Sequence, residues 1–128
     1  MAKRVAIHTT GAPEAIGPYV QAIRSSGLLF CSGQIPLDPE TGILVPGDAA
    51  AQAQRCLLSL EAVAREAGAS LANAVKTTIY LTNLADFEKV NAVYEAFVGK
   101  PAPARVTVQV AALPKGASVE IDAIIALG

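Results

Sequence analysis

The order of two periodicities along the chain is the feature that most constrains its fold. Apolar residues recur at helical spacing between Asp48, a favoured N-cap, and Gly68, a residue favoured just beyond a helix C-terminus. A second helical pattern begins near Ala85 or Asp86 and ends before Gly99. Its apolar face consists of Phe87, Val90, Tyr94 and Phe97. The chain therefore contains two helices, set among segments of a different period.

Those other segments alternate or run apolar between turn residues, which is typical of β-strands. They span residues 4–7, 19–24, 28–35, 75–81, 105–110 and 118–126. Residues 11–18 and 36–46 are rich in Gly and Pro and predict loops, while Ser25-Ser26-Gly27 and Pro114-Lys-Gly116 predict turns. The predicted order is βββαβαββ, in a single domain covering residues 1–128.

Two helices are too few to cover both faces of one sheet, so we expect an α+β fold with both helices on one face of a mixed sheet. The composition agrees with an uncovered second face. Hydrophobic residues make up 52% of the chain and charged residues only 16%, where about 25% is usual. The simplest way to cover the remaining apolar surface is self-association into a homo-oligomer.

Several classes of protein are disfavoured. The longest stretch without a charge, Ser25 to Leu37, has 13 residues, fewer than the roughly 17–25 of a membrane helix. The N-terminal segment from Met1 to His8 has no apolar run like a signal peptide, and two separated cysteines predict a cytoplasmic protein without a disulfide framework. A net charge of −1 gives no basic surface for nucleic acid.

Arg105 and Glu120 are the strongest candidates for chemistry. Arg105 begins an uncharged strand, where a guanidinium can hold a carboxylate through two parallel hydrogen bonds. Its position alone slightly favours a surface arginine, or one paired with a structural glutamate. Glu120 shares a part-apolar strand face with Asp122 and Ile124, where burial raises a carboxyl pKa and suits it to acid–base work. A solvated strand face is the commoner setting for such a pair.

Three further positions are candidates for contacts with a ligand. Asn91 lies four residues after Phe87 on the apolar helix face, where its amide must find partners in a loop or a ligand. Ser32-Gly33 interrupts an apolar strand, which predicts a bulge or a close approach to the backbone. Tyr19 follows a Gly-Pro loop, so its hydroxyl either faces a cleft or lies half-buried at a strand end.

Motifs for strong nucleophiles and for phosphate binding are missing from the sequence. His8 is the single imidazole and has no Ser or Cys nucleophile motif near it. Cys31 and Cys56 fall on apolar stripes and are expected to be unreactive core thiols. One His and two separated Cys are too few for a His/Cys zinc site. No Gly-rich phosphate-binding motif occurs.

Four blocks, in order along nearly the whole chain, resemble the RidA/YjgF family of imine deaminases, formerly called translation-inhibitor or L-PSP endoribonuclease proteins. The blocks are Ala15-Ile-Gly-Pro-Tyr-Val-Gln-Ala22; Ser32-Gly-Gln-Ile-Pro36 with Pro39-x-Thr-Gly42; Val75-Lys-Thr-Thr-Ile-Tyr-Leu81 with Phe87-x-x-Val-Asn91 and Tyr94-x-x-Phe97; and Pro103-Ala-Arg-Val-Thr-Val108 through Leu113-Pro114 to Val119-Glu-Ile121.

The resemblance implies a chorismate-mutase-like fold and a homotrimer with ligand clefts between subunits. It implies hydrolysis of 2-imino acids, such as 2-iminopropanoate and 2-iminobutanoate, to 2-keto acids and ammonia. These imines are tautomers of enamines such as 2-aminoacrylate that arise from pyridoxal-phosphate-dependent dehydratases, so the family removes damaging metabolites. No metal or organic cofactor is implied.

The resemblance also assigns roles. Arg105 would bind the substrate carboxylate, and Glu120 would activate water or pass a proton toward the departing ammonia. The backbone at Ser32-Gly33 and at Thr107 would bind the imine end and the water, while Tyr19 and Asn91 would line the cleft. Many family members carry Cys where this chain has Thr107, a change that alters cleft polarity unless only the backbone matters.

Three other functions remain as alternatives, and one of them, chorismate mutase, rests on similarity of fold alone. A non-catalytic trimer that binds small carboxylates, or acts like a chaperone, would need Arg105 but not Glu120. Endoribonuclease activity, attached to some relatives, is disfavoured by the net charge of −1.

Overall fold

A computed structural model describes residues 3–128. Its eight main elements follow the predicted order: β1 (Val5–Ile7), β2 (Ala22–Ser25), β3 (Leu28–Gln34), α1 (Ala49–Glu66), β4 (Ala74–Leu81), α2 (Phe87–Glu95), β5 (Ala104–Gln109) and β6 (Val119–Ala126). The strands form one sheet in the order β1-β2-β3-β6-β4-β5. Only β4 and β5 pair in parallel, so the sheet is mixed as predicted.

Local signals place the longer helix. The Asp48 carboxylate accepts the amide proton of Ala51 over 3.1 Å and caps the N-terminus of α1. Gly68 has φ +80° just after the helix, a left-handed conformation that glycine adopts without steric cost. The Ala69 amide then donates back to the Ala64 carbonyl over 2.9 Å, which closes the last turn.

Alternation along β6 separates the two faces of the sheet. Val119, Ile121, Ala123 and Ile125 are buried, whereas Glu120, Asp122, Ile124 and Ala126 are partly exposed. The buried residues pack with α1, and Tyr94 of α2 bonds to Thr77 of β4, so both helices lie on this face. The prediction of two helices on one face is confirmed. We call the opposite surface the open face.

The open face carries apolar side chains that nothing in the described chain covers. Phe30, Val106 and Val108 are exposed there by 43%, 44% and 37%. Their ladder partners Ile124, Thr78 and Tyr80 point to the same side. This is the surface for which the sequence predicts self-association. In the described part of the chain, neither helix combines the length and apolar character needed to cross a membrane.

The second strand is shorter than predicted. Residues 19–21, assigned to a strand from the sequence, lie in the preceding loop, and β2 begins at Ala22. The chain bends at Pro18, because the amide of the following residue, Tyr19, donates to the carbonyl of the preceding residue, Gly17, over 2.9 Å. The predicted hairpin turn is confirmed, since Ser26 and Gly27 both have positive φ.

Candidate active site

Arg105 is held in a cradle formed by one face of α2. Its Nη1 donates to Asn91 Oδ1 over 2.6 Å. The guanidinium carbon lies 5.5 Å from the ring centre of Phe87 and 5.0 Å from that of Tyr94, within cation–π range. Since Phe87, Asn91 and Tyr94 are spaced by four and three residues, one helix face presents all three.

The cradle is anchored to the sheet. Thr77 Oγ1 and the Tyr94 hydroxyl lie 2.6 Å apart in the core. Thr77 is also the ladder partner of Arg105, so β4 fixes both the stacking ring and the strand that carries the arginine. Arg105 thus lies on the helix-covered side of the sheet, at the edge strand. It borders a cavity of about 300 Å³ with Asn91, Tyr94, Glu95 and Lys100.

Glu120 lies on the open face, against the backbone of Gly33. A Cβ at Gly33 would come within 3.0 Å of Glu120 Cδ and closer still to a carboxylate oxygen, so the carboxyl group occupies the space a side chain would take. The pairing of β3 with β6 shifts register between Cys31 and Gln34, which is a bulge at Ser32-Gly33. Both predictions for this dipeptide are confirmed, since the strand has a bulge there and the Glu120 side chain approaches its backbone closely.

The surroundings of Glu120 favour its protonated form. Burial raises the pKa of this half-buried carboxyl, and the negative charge of Asp122 raises it further. A shift in this direction brings the pKa of a carboxyl group nearer to the range in which it serves as a general acid.

Tyr19, Ser32 and Gly33 line the same cavity as Glu120, with a volume of about 560 Å³. The Tyr19 hydroxyl accepts the Ile16 amide over 3.3 Å and its side chain is half-exposed. The Ser32 hydroxyl donates to the Val20 carbonyl over 2.6 Å, and the Ser32 amide to the Gln21 carbonyl over 2.9 Å. These bonds fix the part of the cavity wall that Tyr19 and Ser32 form.

Thr107 lines neither the Arg105 cavity nor the Glu120 cavity. It follows Arg105 by two residues on β5 and pairs with Ile79. Its Oγ1 is buried without a hydrogen-bond partner in the described part of the chain. A buried hydroxyl without a hydrogen-bond partner lowers the stability of the fold. A cysteine at this position would carry a thiol, which is a weaker hydrogen-bonding group than the threonine hydroxyl.

The seven predicted site residues therefore fall into two groups within one copy of the chain. Arg105, Asn91 and Thr107 lie at β5 and α2, whereas Tyr19, Ser32, Gly33 and Glu120 surround the cavity on the open face. Arg105 and Glu120 do not share a cavity, because their strands direct them to opposite faces of the sheet. A single copy does not bring together the two residues proposed for chemistry.

Three contributors to the site were not singled out from the sequence. Gln21 is buried, and its carboxamide bonds the Thr9 amide at 2.7 Å and the Pro13 carbonyl at 2.9 Å, which holds the loop that walls the Glu120 cavity. The sequence predicts that Phe87 and Tyr94 lie on the apolar helix face, and it predicts no contact of either residue with Arg105. Their spacing with Asn91 was visible in the sequence, but the register that brings Arg105 to them was not.

The two thiols lie in the core, and the imidazole lies on an exposed side chain. Cys31 and Cys56 are both free and buried. Burial raises the pKa of Cys31 to about 12 and that of Cys56 even further, so neither thiol forms a thiolate readily. His8 is exposed and lies 2.7 Å from Glu14.

Residues 9–127 match the model of a protein family described as endoribonuclease L-PSP. The chain is 53% identical to RutC family protein y4sK of Sinorhizobium fredii over 121 residues, which is 94% of this chain and 96% of the relative. It is 45% identical over 125 residues, 98% and 93% of the two chains, to the mouse protein named 2-iminobutanoate/2-iminopropanoate deaminase. The crystal structure of E. coli TdcF with bound serine matches with a TM-score of 0.90 and 40% identity, covering 97% of this chain and 99% of that one.

Proposed function

The chain belongs to the RidA/YjgF family, also described as endoribonuclease L-PSP, and from that premise we propose that it hydrolyses small 2-imino acids to 2-keto acids and ammonia. Three mammalian relatives at 44–45% identity carry the name of this activity. The observation that carries the proposal is the preorganised guanidinium of Arg105, fixed by Asn91 and by two aromatic rings.

Arg105 binds the substrate carboxylate in this proposal. One nitrogen is committed to Asn91, and the guanidinium carbon lies over the rings of Phe87 and Tyr94. The remaining N–H donors lie in the plane of the guanidinium, where they suit the two oxygens of a carboxylate. The E. coli relative described with bound serine supports an amino-acid-sized carboxylate as ligand.

Glu120 moves the protons. Its protonated carboxyl first gives a proton to the imine nitrogen, which makes the C=N carbon more electrophilic. The carboxylate then accepts a proton from the water whose oxygen bonds to that carbon. Transfer of this proton to nitrogen makes ammonia the leaving group. As the C–N bond breaks, the carboxylate takes the proton of the new hydroxyl group, so the carbonyl forms and Glu120 is protonated again. An iminium is already reactive, so orientation and modest electrostatic help suffice.

A complete site requires two copies of the chain. The Arg105 group and the Glu120 group lie on opposite faces of one sheet, so Glu120 of one copy must meet Arg105 of a neighbour. The uncovered apolar residues of the open face, Phe30, Val106 and Val108, supply the contact surface. We propose a homotrimer in which each cleft combines the two groups from adjacent subunits.

The description of the family model also suggests endoribonuclease activity as an alternative function, for which we find less support. A net charge of −1 supplies little of the phosphate-neutralising surface on which RNA binding depends. Strong, salt-dependent binding of single-stranded RNA by the purified protein would favour that alternative.

The proposed function is tested by generating 2-iminopropanoate in situ and following its decay in the presence of the protein. We expect the wild type to accelerate decay and Arg105→Ala to lose most of the acceleration. Arg65→Ala removes an exposed arginine from the far end of α1 and is the matched control. Equal rates for wild type and Arg105→Ala would contradict the role of Arg105, and saturable keto-acid binding without turnover would favour a binding protein.

A further inference from the structure

Asp122 lies beside Glu120 on the open face, and the protein holds it in place. It is two residues further along β6, on the same side of the strand. The Tyr80 hydroxyl donates to Asp122 Oδ2 over 3.0 Å. Tyr80 is the ladder partner of Glu120, whereas Asp122 is paired with Thr78. Although Tyr80 lies opposite Glu120 in the ladder, its hydroxyl therefore contacts Asp122. It fixes the carboxylate of Asp122 and not that of Glu120.

Two carboxyl groups in this arrangement interact through their charges. Residues two apart on a strand are separated by about 6.6 Å, and water is partly excluded around the half-buried Glu120. The hydrogen bond from Tyr80 fixes the Asp122 carboxyl group beside Glu120, and the charge of Asp122 makes Glu120 hold a proton more readily. The pKa of Tyr80 is correspondingly raised, first by burial and then by its bond to Asp122.

The neighbouring charges do not cancel this effect. Lys76 lies on the same face of β4, with its Nζ 3.4 Å from Thr78 Oγ1. Lys115 and Glu14 are charges of opposite sign that line the Glu120 cavity. On the covered side of the sheet, Cys31 and Cys56 are neutral thiols. Burial and Asp122 remain the two causes that raise the pKa of Glu120.

We propose that Asp122, fixed by Tyr80, is a positioning residue that acts through Glu120 and favours the protonated form with which imine hydrolysis begins. Asp122 itself need not touch the substrate. Its catalytic consequence rests on the proposed function, whereas its action on Glu120 can be measured without any substrate.

The variant Asp122→Asn isolates the charge, because asparagine keeps the shape and still accepts a hydrogen bond from Tyr80. Glu66→Gln removes one exposed carboxylate from the end of α1 and is the matched control. In the assembled protein labelled with ¹³C at the glutamate carboxyls, the Glu120 signal is assigned by its loss in Glu120→Gln. We expect its titration midpoint to move to lower pH in Asp122→Asn and to stay unchanged in Glu66→Gln. The same titration midpoint for Glu120 in the wild type, in Asp122→Asn and in Glu66→Gln would overturn the proposal.

The pH–rate profile for imine hydrolysis supplies the second readout. If the protonated carboxyl is required, activity falls as pH rises through the pKa of Glu120, and in Asp122→Asn this fall begins at lower pH. At a pH on this falling limb, kcat decreases while KM is retained. An unchanged profile in an active Asp122→Asn protein would overturn the positioning role. A shifted NMR midpoint in a protein that hydrolyses no imine would instead refute the proposed function and leave the coupling of the two carboxyls intact.

Discussion

Arg105 and Asn91 are joined by a hydrogen bond of 2.6 Å between Nη1 and Oδ1, and this bond orients the guanidinium. The rings of Phe87 and Tyr94 hold the same group at 5.5 and 5.0 Å. An arginine side chain loses considerable rotamer entropy when it is immobilised. Because the cradle immobilises Arg105 before a ligand arrives, part of the entropic cost of binding a carboxylate is already met.

Removing the Asn91 amide oxygen, which accepts the hydrogen bond from Arg105, should weaken substrate binding. In Asn91→Ala the charged guanidinium of Arg105 loses its hydrogen bond to the Asn91 amide oxygen, and we expect KM for the imine to rise roughly tenfold, with a smaller change in kcat. Steady-state kinetics over a range of imine concentrations measures the two parameters separately. Asn73→Ala, which truncates an exposed asparagine before β4, should leave both unchanged. A decrease in kcat alone would show that Asn91 acts at a later step.

Adding a methyl group at position 33 should displace Glu120. In Gly33→Ala the new Cβ meets the Glu120 carboxyl, which must rotate away. A catalytic group misplaced by about 1 Å costs on the order of 100-fold in rate. We expect turnover to fall strongly while the unfolding temperature changes little, since the displaced group is the end of a flexible side chain. The double variant Gly33→Ala/Glu120→Gln should be no slower than Glu120→Gln alone, and additive losses would refute this explanation.

The two cysteines should be inert in the folded protein. Cys31 has a pKa raised to about 12, and Cys56 is more completely buried. The thiolate is the reactive form, so a disulfide reagent at pH 8 should modify neither residue within minutes. The same reagent in denaturant should modify 2 thiols per chain. Rapid modification of the native protein, with loss of activity, would reopen the question of a cysteine in the mechanism.

A charge on the open face should separate the subunits. Val106 is 44% exposed there, and in Val106→Lys the ammonium would have to be desolvated at the proposed interface. We expect sedimentation analysis to show a folded monomer, with imine hydrolysis reduced at least tenfold. Leu58→Lys places the same charge on α1, where leucine is 40% exposed, and should retain both assembly and activity. A monomeric but fully active Val106→Lys protein would contradict the need for two copies.

The elements with strong local signals were predictable from the sequence, and those set by long-range contacts were not. Capping at Asp48 and alternation from Val119 onward are properties of neighbouring residues, and both matched the structure. The sequence predicts a strand that begins at Tyr19, but the backbone hydrogen bond across Pro18 turns the chain away from the sheet. The cradle around Arg105 depends on the register of β5 against β4, which pairs residues far apart in sequence.

The same limit applies to the site. The motifs identified Arg105 and Glu120 individually, yet no sequence pattern indicates that they face opposite sides of the sheet. That separation follows from strand order and register, because Arg105 pairs with Thr77 on the covered face and Glu120 with Tyr80 on the open face.

A mixing experiment tests the central claim, that each site combines Arg105 of one copy with Glu120 of another. Arg105→Ala and Glu120→Gln, each nearly inactive alone, are denatured together in equal amounts and refolded, and imine decay is then measured. In randomly mixed trimers, about one quarter of the clefts pair an intact Arg105 with an intact Glu120 from a neighbour. The account predicts recovery of about one quarter of the wild-type activity. Activity no higher than that of the separate variants, in verified mixed trimers, would show that both residues serve the same site from one chain and would contradict it.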